Sequence, residues 1–479
     1  MEKRTLSQFI WTLIMLMILL VIVLISTPLG RSLSNAFING VNDFTLRMKV
    51  FMPIEYDEVV QEGDWEFVVI GSANSNSSEF TDADRDEFDM IPAIRLTKYV
   101  GNNHRQIVVP NIYIDADGKK YIVDSVGGLQ DGDAYVEEKA CVFNEYAKNV
   151  KNIVVAQGVD IHVGAFNSLQ ELKTVIIADR CETINDYAFS GCRNLQNVRC
   201  GTDNAYIGNY AFANCAELDN MHFGENLYTI GDFAFYNCTK FVLISKFPDT
   251  LNSIGNNAFM NCESLNTIDL DNTRLVKIGD SAFAECENVS GTIYLPDTLE
   301  YIGASAFTDC KKISGQLIIP KNLKVIGDNS FMGLRFNKID FSKNTSIKVI
   351  GNNAFMNCGG MNGGLIFPST LECIGQNAFY GNSLISNIVL PENLRFIGSY
   401  AFYRCGGNSA EYSHLKNFIL IIPSSCEYLG GNLNYDAATD TATFSNTNVV
   451  DAFNETYTTF VVAENNPNFV VSNNQIIYK

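Results

Sequence analysis

From residue 164 onward one pattern of apolar and polar positions returns again and again. It reads I-G-x-x-A-F-x-x-C-x-x-L. Its phenylalanines are Phe166, Phe189, Phe212, Phe235, Phe259, Phe283, Phe307, Phe331, Phe355, Phe379 and Phe402, spaced by 23 or 24 residues. Eleven copies in register are not an accident of composition. A fixed period in this range marks a leucine-rich solenoid, in which each rung buries its apolar face against the next.

Each rung can be read physically. Asp232, Asn256, Asp280, Asp328 and Asn352 follow the glycine, where a side-chain oxygen could cap a short helix. The A-F-x-x-C-x-x-L run spaces apolar groups three apart, as one helical face does. A β-like stretch follows, such as Thr292–Leu295 or Asn387–Leu390. In six rungs a proline closes it: Pro248, Pro296, Pro320, Pro368, Pro391 and Pro423. Proline cannot donate to a strand ladder and turns the chain. The glycine of I-G permits a tight turn or a close approach between rungs. The expected fold is therefore an α/β repeat, a leucine-rich-repeat solenoid.

The β-like stretches also predict a surface. Successive strand residues point to opposite faces. If Ile293 and Leu295 point inward, Tyr294 points outward, and the same register sets Ile318, Ile366, Val389 and Ile421 outward. Asp340 interrupts this row, and Arg199, His222 and Asp269 hold it in earlier rungs. The row thus passes from polar to apolar along the array. A solvated apolar patch often marks a partner site. These five residues form the candidate partner-binding face, and the atypical stretch 430–458, where Leu429-Gly430 is not followed by A-F, is a candidate cover for it.

Before the repeats, strand-like runs at Trp65–Ile70, Ile94–Gly101 and Gln106–Gly127, the last with a turn at Asp115–Gly118, predict a β-rich cap. An array needs one, since its end rung would otherwise expose its apolar face. Phe9–Ile25 is an uncharged run of 17 residues preceded by Lys3 and Arg4. It predicts an uncleaved signal-anchor with a cytoplasmic N-terminus, the alternative being a cleaved signal peptide and a secreted protein. Leu33, Phe37, Val41 and Phe44 fall at helical spacing in the segment after it. The chain then divides into an anchor (1–30), a juxtamembrane linker (31–64), a β-rich N-terminal cap (65–128), the solenoid (129–429) and an atypical C-terminal rung with an insertion (430–479).

Charge and chemistry narrow the function. The net charge is −19, which repels phosphate backbones and argues against nucleic acid. Asp82, Asp84 and Asp86 match the start of a calcium loop, but Glu87 and Ala93 stand where its glycine and bidentate glutamate belong, so a solvated loop is expected. Eight of the 13 cysteines share one repeat position: Cys192, Cys215, Cys238, Cys262, Cys286, Cys310, Cys358 and Cys405. Leu169 and Leu334 hold it in other rungs, so the position is read as buried and apolar, with Asn382 the exception. Helix-like spacing of about 8–10 Å between rungs would keep these thiols apart, whereas strand spacing of about 4.8 Å would allow bonding. Cys141, Cys181, Cys200, Cys373 and Cys426 share no repeat position. Only four histidines occur, and neither C-x-x-C nor H-E-x-x-H, a P-loop or a nucleophile elbow is present. No cofactor, metal or catalytic residue is expected.

Sequences such as LPDTLEYIGASAFTDC (295–310) and FPSTLECIGQNAF (367–379) resemble the BspA-type leucine-rich-repeat family. The resemblance covers roughly residues 94–479. It implies a curved solenoid, often on microbial surfaces, sometimes binding host matrix or plasma proteins, and it brings no catalytic residues. The expected role is adhesion or protein binding at a cell surface, with another surface protein or the extracellular matrix as partner. The alternative is a structural scaffold of the cell envelope without an external ligand.

Overall fold

The structure is a computed structural model and describes residues 65–72, 91–101, 105–128, 141–143, 149–242, 246–405, 419–436, 438–445, 452, 459–472 and 475–479. The apolar run Phe9–Ile25, the helical spacing at Leu33–Phe44 and the acidic stretch around Asp82–Asp86 lie outside the described residues. No described helix is long and apolar enough to cross a membrane.

The chain enters through five strands: β1 (Trp65–Ser72), β2 (Pro92–Tyr99), β3 (Gln106–Val109), β4 (Ile112–Ile114) and β5 (Lys120–Val126). β1 pairs antiparallel with β2, and β4 antiparallel with β5 across the Asp115–Gly118 turn. From β5 onward the same sheet continues as a column of two-residue parallel strands. These begin at Asp160–Ile161 and Thr183–Ile184 and end at Phe396–Ile397 and Tyr428–Leu429, completing a 16-stranded sheet. The Ile of each I-G pair is the inward residue of these strands, from Ile184 to Ile397.

A second, broken line of parallel strands runs along another side. It begins as a five-stranded sheet and passes through shorter groups. These are Ser290–Gly291 with Lys312–Ile318 and Arg335–Asp340, then Gly363–Ile366 with Ile385–Val389, then Ile419–Ile422 with Thr459–Val462.

Between the sheets the sequence predicts a helical turn, and the structure corrects that. Among the described residues there is no helix, so the repeat is an all-β solenoid rather than an α/β one. Two residues per rung adopt left-handed φ, for example Asn257 at 54° and Asn261 at 60°. A left-handed residue interrupts a right-handed helix, and asparagine tolerates that conformation better than most residues. Backbone donors accordingly reach the neighbouring rung: Phe235 N–H donates to Ala258 O at 2.7 Å and Asn257 N–H to Asp280 O at 2.8 Å.

The residue after the glycine caps no helix either. Its side chain accepts from the backbone of the next rung. Asp232 Oδ1 accepts Asn256 N–H at 2.6 Å, and Asn256 Oδ1 accepts Asp280 N–H at 2.8 Å. The column reads Asp186, Asn209, Asp232, Asn256, Asp280, Ala304, Asp328, Asn352, Gln376. Two carboxylates never stand on adjacent rungs. At this spacing like charges would repel by about 3 kcal/mol at an effective dielectric of 20.

The phenylalanines form one buried stack of twelve rings, because Phe143 precedes the eleven in the repeat. Centroids are 5.0–5.9 Å apart from Phe143 to Phe402. The I-G glycines allow this close approach. A Cβ on Gly255 would lie 2.6 Å from Asp232 N and from Gly231 C.

The cysteine column sits beside the rings, each Sγ within hydrogen-bond reach of the preceding rung, so the rungs are closer there than packed helices. All its thiols are free and buried. Each Sγ–H donates to the phenylalanine carbonyl of the preceding rung, as Cys310 does to Phe283 O at 3.0 Å and Cys238 to Phe212 O at 3.1 Å. Asn382 fits for the same reason: its amide donates to Phe355 O at 2.8 Å.

The insertion forms an antiparallel hairpin, Asn432–Asp436 with Thr441–Ser445. Leu433, Tyr435, Ala442 and Phe444 pack on Val325, Val349, Cys373, Phe396 and the half-buried Tyr301 and Tyr428. Phe396 and Phe444 stack with centroids 4.3 Å apart. The hairpin therefore covers the outer face of the long sheet, where the outward column turns from Thr229, Ser253 and Lys277 to apolar residues. The hairpin packs there rather than over the row of Tyr294 and Ile366; residues 446–451 and 453–458 of the insertion lie outside the described residues.

Candidate partner-binding face

The broken second line of strands presents the row that alternation singles out. Ile293 and Leu295 are buried and Tyr294 is exposed. Ile318, Ile366, Val389 and Ile421 are likewise exposed, each between buried neighbours except that Leu390, after Val389, is half-buried. Exposure of the five side chains runs from 44% at Ile318 and Val389 to 66% at Ile366, far above the core.

Strand register brings them together. Tyr294 bridges to Asp269, Ile318 pairs with Asp340, Ile366 with Val389, and Ile421 with Val461. Val461, also exposed, extends the row one rung further than the sequence reading did. The signal was present in the alternation of Thr459–Val462, which lies beyond the last full repeat. Val470 and Ile477 of the terminal hairpin, Phe469–Ser472 with Gln475–Tyr478, add exposed apolar surface at that end.

The polar interruption is built, not incidental. Asp340 Oδ1 accepts Ser342 N–H at 2.9 Å, and Oδ2 takes Gln316 Nε2 at 3.0 Å and Lys338 Nζ at 3.1 Å. The Ser342 backbone and hydroxyl, then Lys338, hold its carboxyl down to about 2. Upstream, Asp269 pairs with Lys246 at 2.7 Å. Arg199, His222 and Asp269 are half-buried, so the row is polar and partly covered there, and from Tyr294 on it is apolar and open except at the half-buried Asp340.

A polar groove of about 660 Å³ lies beside the hairpin, lined among others by Lys324, Lys348, Thr370, Glu372, Arg395 and Asp440. No sequence pattern pointed to it, because its lining comes from single residues of separate rungs. Its cations are already paired, Lys324 with Glu300, Lys348 with Asp440 and Arg395 with Glu427. Among the described residues no His, Cys, Asp and Glu group could hold a metal ion.

A known repeat-family model agrees with this architecture. The family described as "BspA type Leucine rich repeat region (6 copies)" matches residues 139–245, 244–362 and 348–435. No curated protein matches. Among solved structures, a leucine-rich repeat protein from Bacteroides ovatus is 22% identical, over 76% of this chain and 95% of its own, with a TM-score of 0.40. A leucine rich cell surface protein from Faecalibacterium prausnitzii is 17% identical, over 74% and 96%, with a TM-score of 0.32. The pneumococcal vaccine antigen PcpA is 16% identical, over 78% and 85%, with a TM-score of 0.40. The family match spans more than half of the sequence, and with the eleven rungs in register it shows that this chain belongs to the BspA-type leucine-rich-repeat family.

Proposed function

We propose that the protein binds another protein at a cell surface, held to the membrane by the Phe9–Ile25 segment. The docking face is the row Tyr294, Ile318, Ile366, Val389 and Ile421. One observation carries this reading: five large apolar side chains stand exposed at the same strand position, although inward positions beside them are fully used for the core. Scattered exposed apolar residues need no explanation, but apolar side chains repeated at one strand position, here broken once by Asp340, form a patch of the kind that recurs at partner sites. Buried aromatic and aliphatic anchors dominate the energy of such interfaces. The expected ligand is a surface or matrix protein.

The test is a double variant, Tyr294→Ser with Ile366→Ser, compared with wild type for capture of surface and matrix proteins. Binding falls at least tenfold while the thermal transition stays within about 2 °C, since exposed positions contribute little to stability. Undiminished capture would remove the face from the proposal. A large fall in the transition would assign these side chains to the core.

A further inference from the structure

We infer that the hairpin Asn432–Asp436 with Thr441–Ser445 is a strap that opens as a unit while the solenoid stays folded, uncovering a second apolar face on the long sheet. The inference is independent of the exposed row being a docking face. Three observations point to it.

The first is that the hairpin closes a core of its own. Val325, Val349, Cys373 and Phe396 are successive neighbours in the outward column of the long sheet. They are at most 4% exposed, and with Leu433 they form a cluster separate from the central core. In earlier rungs the same column holds Thr229, Ser253 and Lys277, polar side chains that need no cover. Departure of the hairpin therefore breaks only the small cluster and leaves the phenylalanine stack intact.

The second is that its attachment is shallow. Of the four hairpin side chains packed on the sheet only Leu433 is buried, while Tyr435, Ala442 and Phe444 are half-buried. Among the described residues two polar contacts fasten its strands and tip, Asn352 with Leu433 O and Lys348 with Asp440. The side chains of the ion pair are 43% and 59% exposed, and a pair so exposed holds weakly. A two-stranded hairpin off its support is marginal in water, so detachment and loss of strand pairing occur together.

The third is the base. Gly430 and Gly431 join the hairpin to the last strand of the long sheet with φ of 143° and 90°, a region that glycine adopts most readily. Ser399 clamps Gly431 twice, donating its N–H to Gly431 O at 3.0 Å and accepting Gly431 N–H on Oγ at 2.8 Å. The pivot thus stays on the solenoid when the strands beyond it leave.

Cys373 reports the motion. Twelve of the 13 cysteines belong to the central core, and Cys373 alone belongs to the hairpin cluster. Burial pushes its thiol up to about 12, so at neutral pH it is inert while the strap is closed.

The experiment treats the full-length chain with iodoacetamide at neutral pH in rising urea and maps the modified cysteines by peptide mass spectrometry. Below the unfolding transition Cys373 should react at least about tenfold faster than each of the other twelve. Peptide-level hydrogen exchange in the same urea should show Asn432–Asp436 and Thr441–Ser445 losing protection together, ahead of the strands Val325–Ile326 and Val349–Ile350. Phe444→Ala should speed Cys373 at least about fivefold through its lost packing, with the other twelve rates unchanged. Reaction of all 13 together at the transition overturns the inference, because the hairpin then unfolds only with the solenoid. Early reaction of Cys373 with the hairpin amides still protected overturns it as well, since the thiol is then reached by another route. Acceleration of every cysteine alike in Phe444→Ala would also count against the strap, by making the hairpin part of the global fold.

Discussion

Lys348 Nζ lies 3.0 Å from Asp440 Oδ2, joining the fourth-from-last strand of the long sheet to the tip of a hairpin 92 residues later. Asn352 Nδ2 reaches Leu433 O at 2.7 Å beside it. These polar contacts flank the apolar contact that matters more, the packing of Leu433 and Phe444 on Val349, Cys373 and Phe396. An exposed ion pair contributes about 0–1 kcal/mol, whereas losing a packed aromatic ring costs more. Phe444→Ala should therefore lower unfolding stability by about 1–3 kcal/mol. Lys348→Ala should change it by less than about 1 kcal/mol. Urea titration of both variants distinguishes them. Lys348, then the Tyr435 hydroxyl, holds the Asp440 carboxyl below the usual carboxylate range. A depressed carboxyl stabilises the fold above its ordinary pKa. The pair's contribution is thus lost as pH falls through the acid range, and Asp440→Asn should flatten that part of the pH profile.

The cysteine column should be inert in the native state. Burial pushes the thiols of Cys238, Cys358 and Cys405 up to about 12. A thiol reagent at neutral pH should find almost no reactive group until denaturant is added, and then all 13. Fewer than 13 after denaturation without reductant would reveal disulfides. Because the folded thiols hold their protons more tightly than unfolded ones, stability is fully present below the ordinary thiol pKa. It should fall as pH rises from there toward about 12.

The alternation of aspartate and asparagine along the turn column gives a third expectation. Asn256→Asp would set three carboxylates on consecutive rungs with Asp232 and Asp280. Aspartate there loses the Nδ2 donation to Asp232 but keeps an acceptor for Asp280 N–H, whereas Asn256→Ala loses both side-chain contacts and adds no charge. The aspartate variant should be the less stable of the two by about 1–3 kcal/mol at neutral pH and low salt, a difference that shrinks in high salt. Equal stability would show the alternation to be irrelevant.

Asn204 stands in the column that holds Leu227, Leu251, Leu275 and Leu299 in later rungs. It is 1% exposed, and neither its Nδ2 nor its Oδ1 meets a partner among the described residues. Unpaired buried amide groups cost about 1–3 kcal/mol. Asn204→Leu should raise stability by about that amount in chemical denaturation. A destabilised variant would mean that the site cannot accommodate leucine.

Much of this architecture was legible in the sequence. The period, the inward phenylalanines and the outward register at Tyr294 and Ile366 all follow from spacing. The helical turn misled because apolar residues three apart suit a tight turn as well as a helix. The recurrent asparagines at Asn257, Asn261, Asn353 and Asn357, all left-handed, carried the information that decides between them. The long sheet was hidden because each rung contributes only two residues to it, too few for a visible alternation. Phe143 escaped notice because Val142 replaces the alanine of A-F. The hairpin's docking place was illegible, since its partners Val325, Val349, Cys373 and Phe396 are one residue per rung and become a surface only when the rungs stack.

The central claim is that partners dock on the exposed row rather than on the long sheet. A photo-crosslinking side chain placed at position Ile366, or at Ser253 on the outer face of the long sheet, tests it most directly in the full-length protein. Illumination in the presence of surface and matrix proteins should yield a covalent adduct from position 366 and none from 253. An adduct from 253 alone, or equal yields from both, would contradict the account.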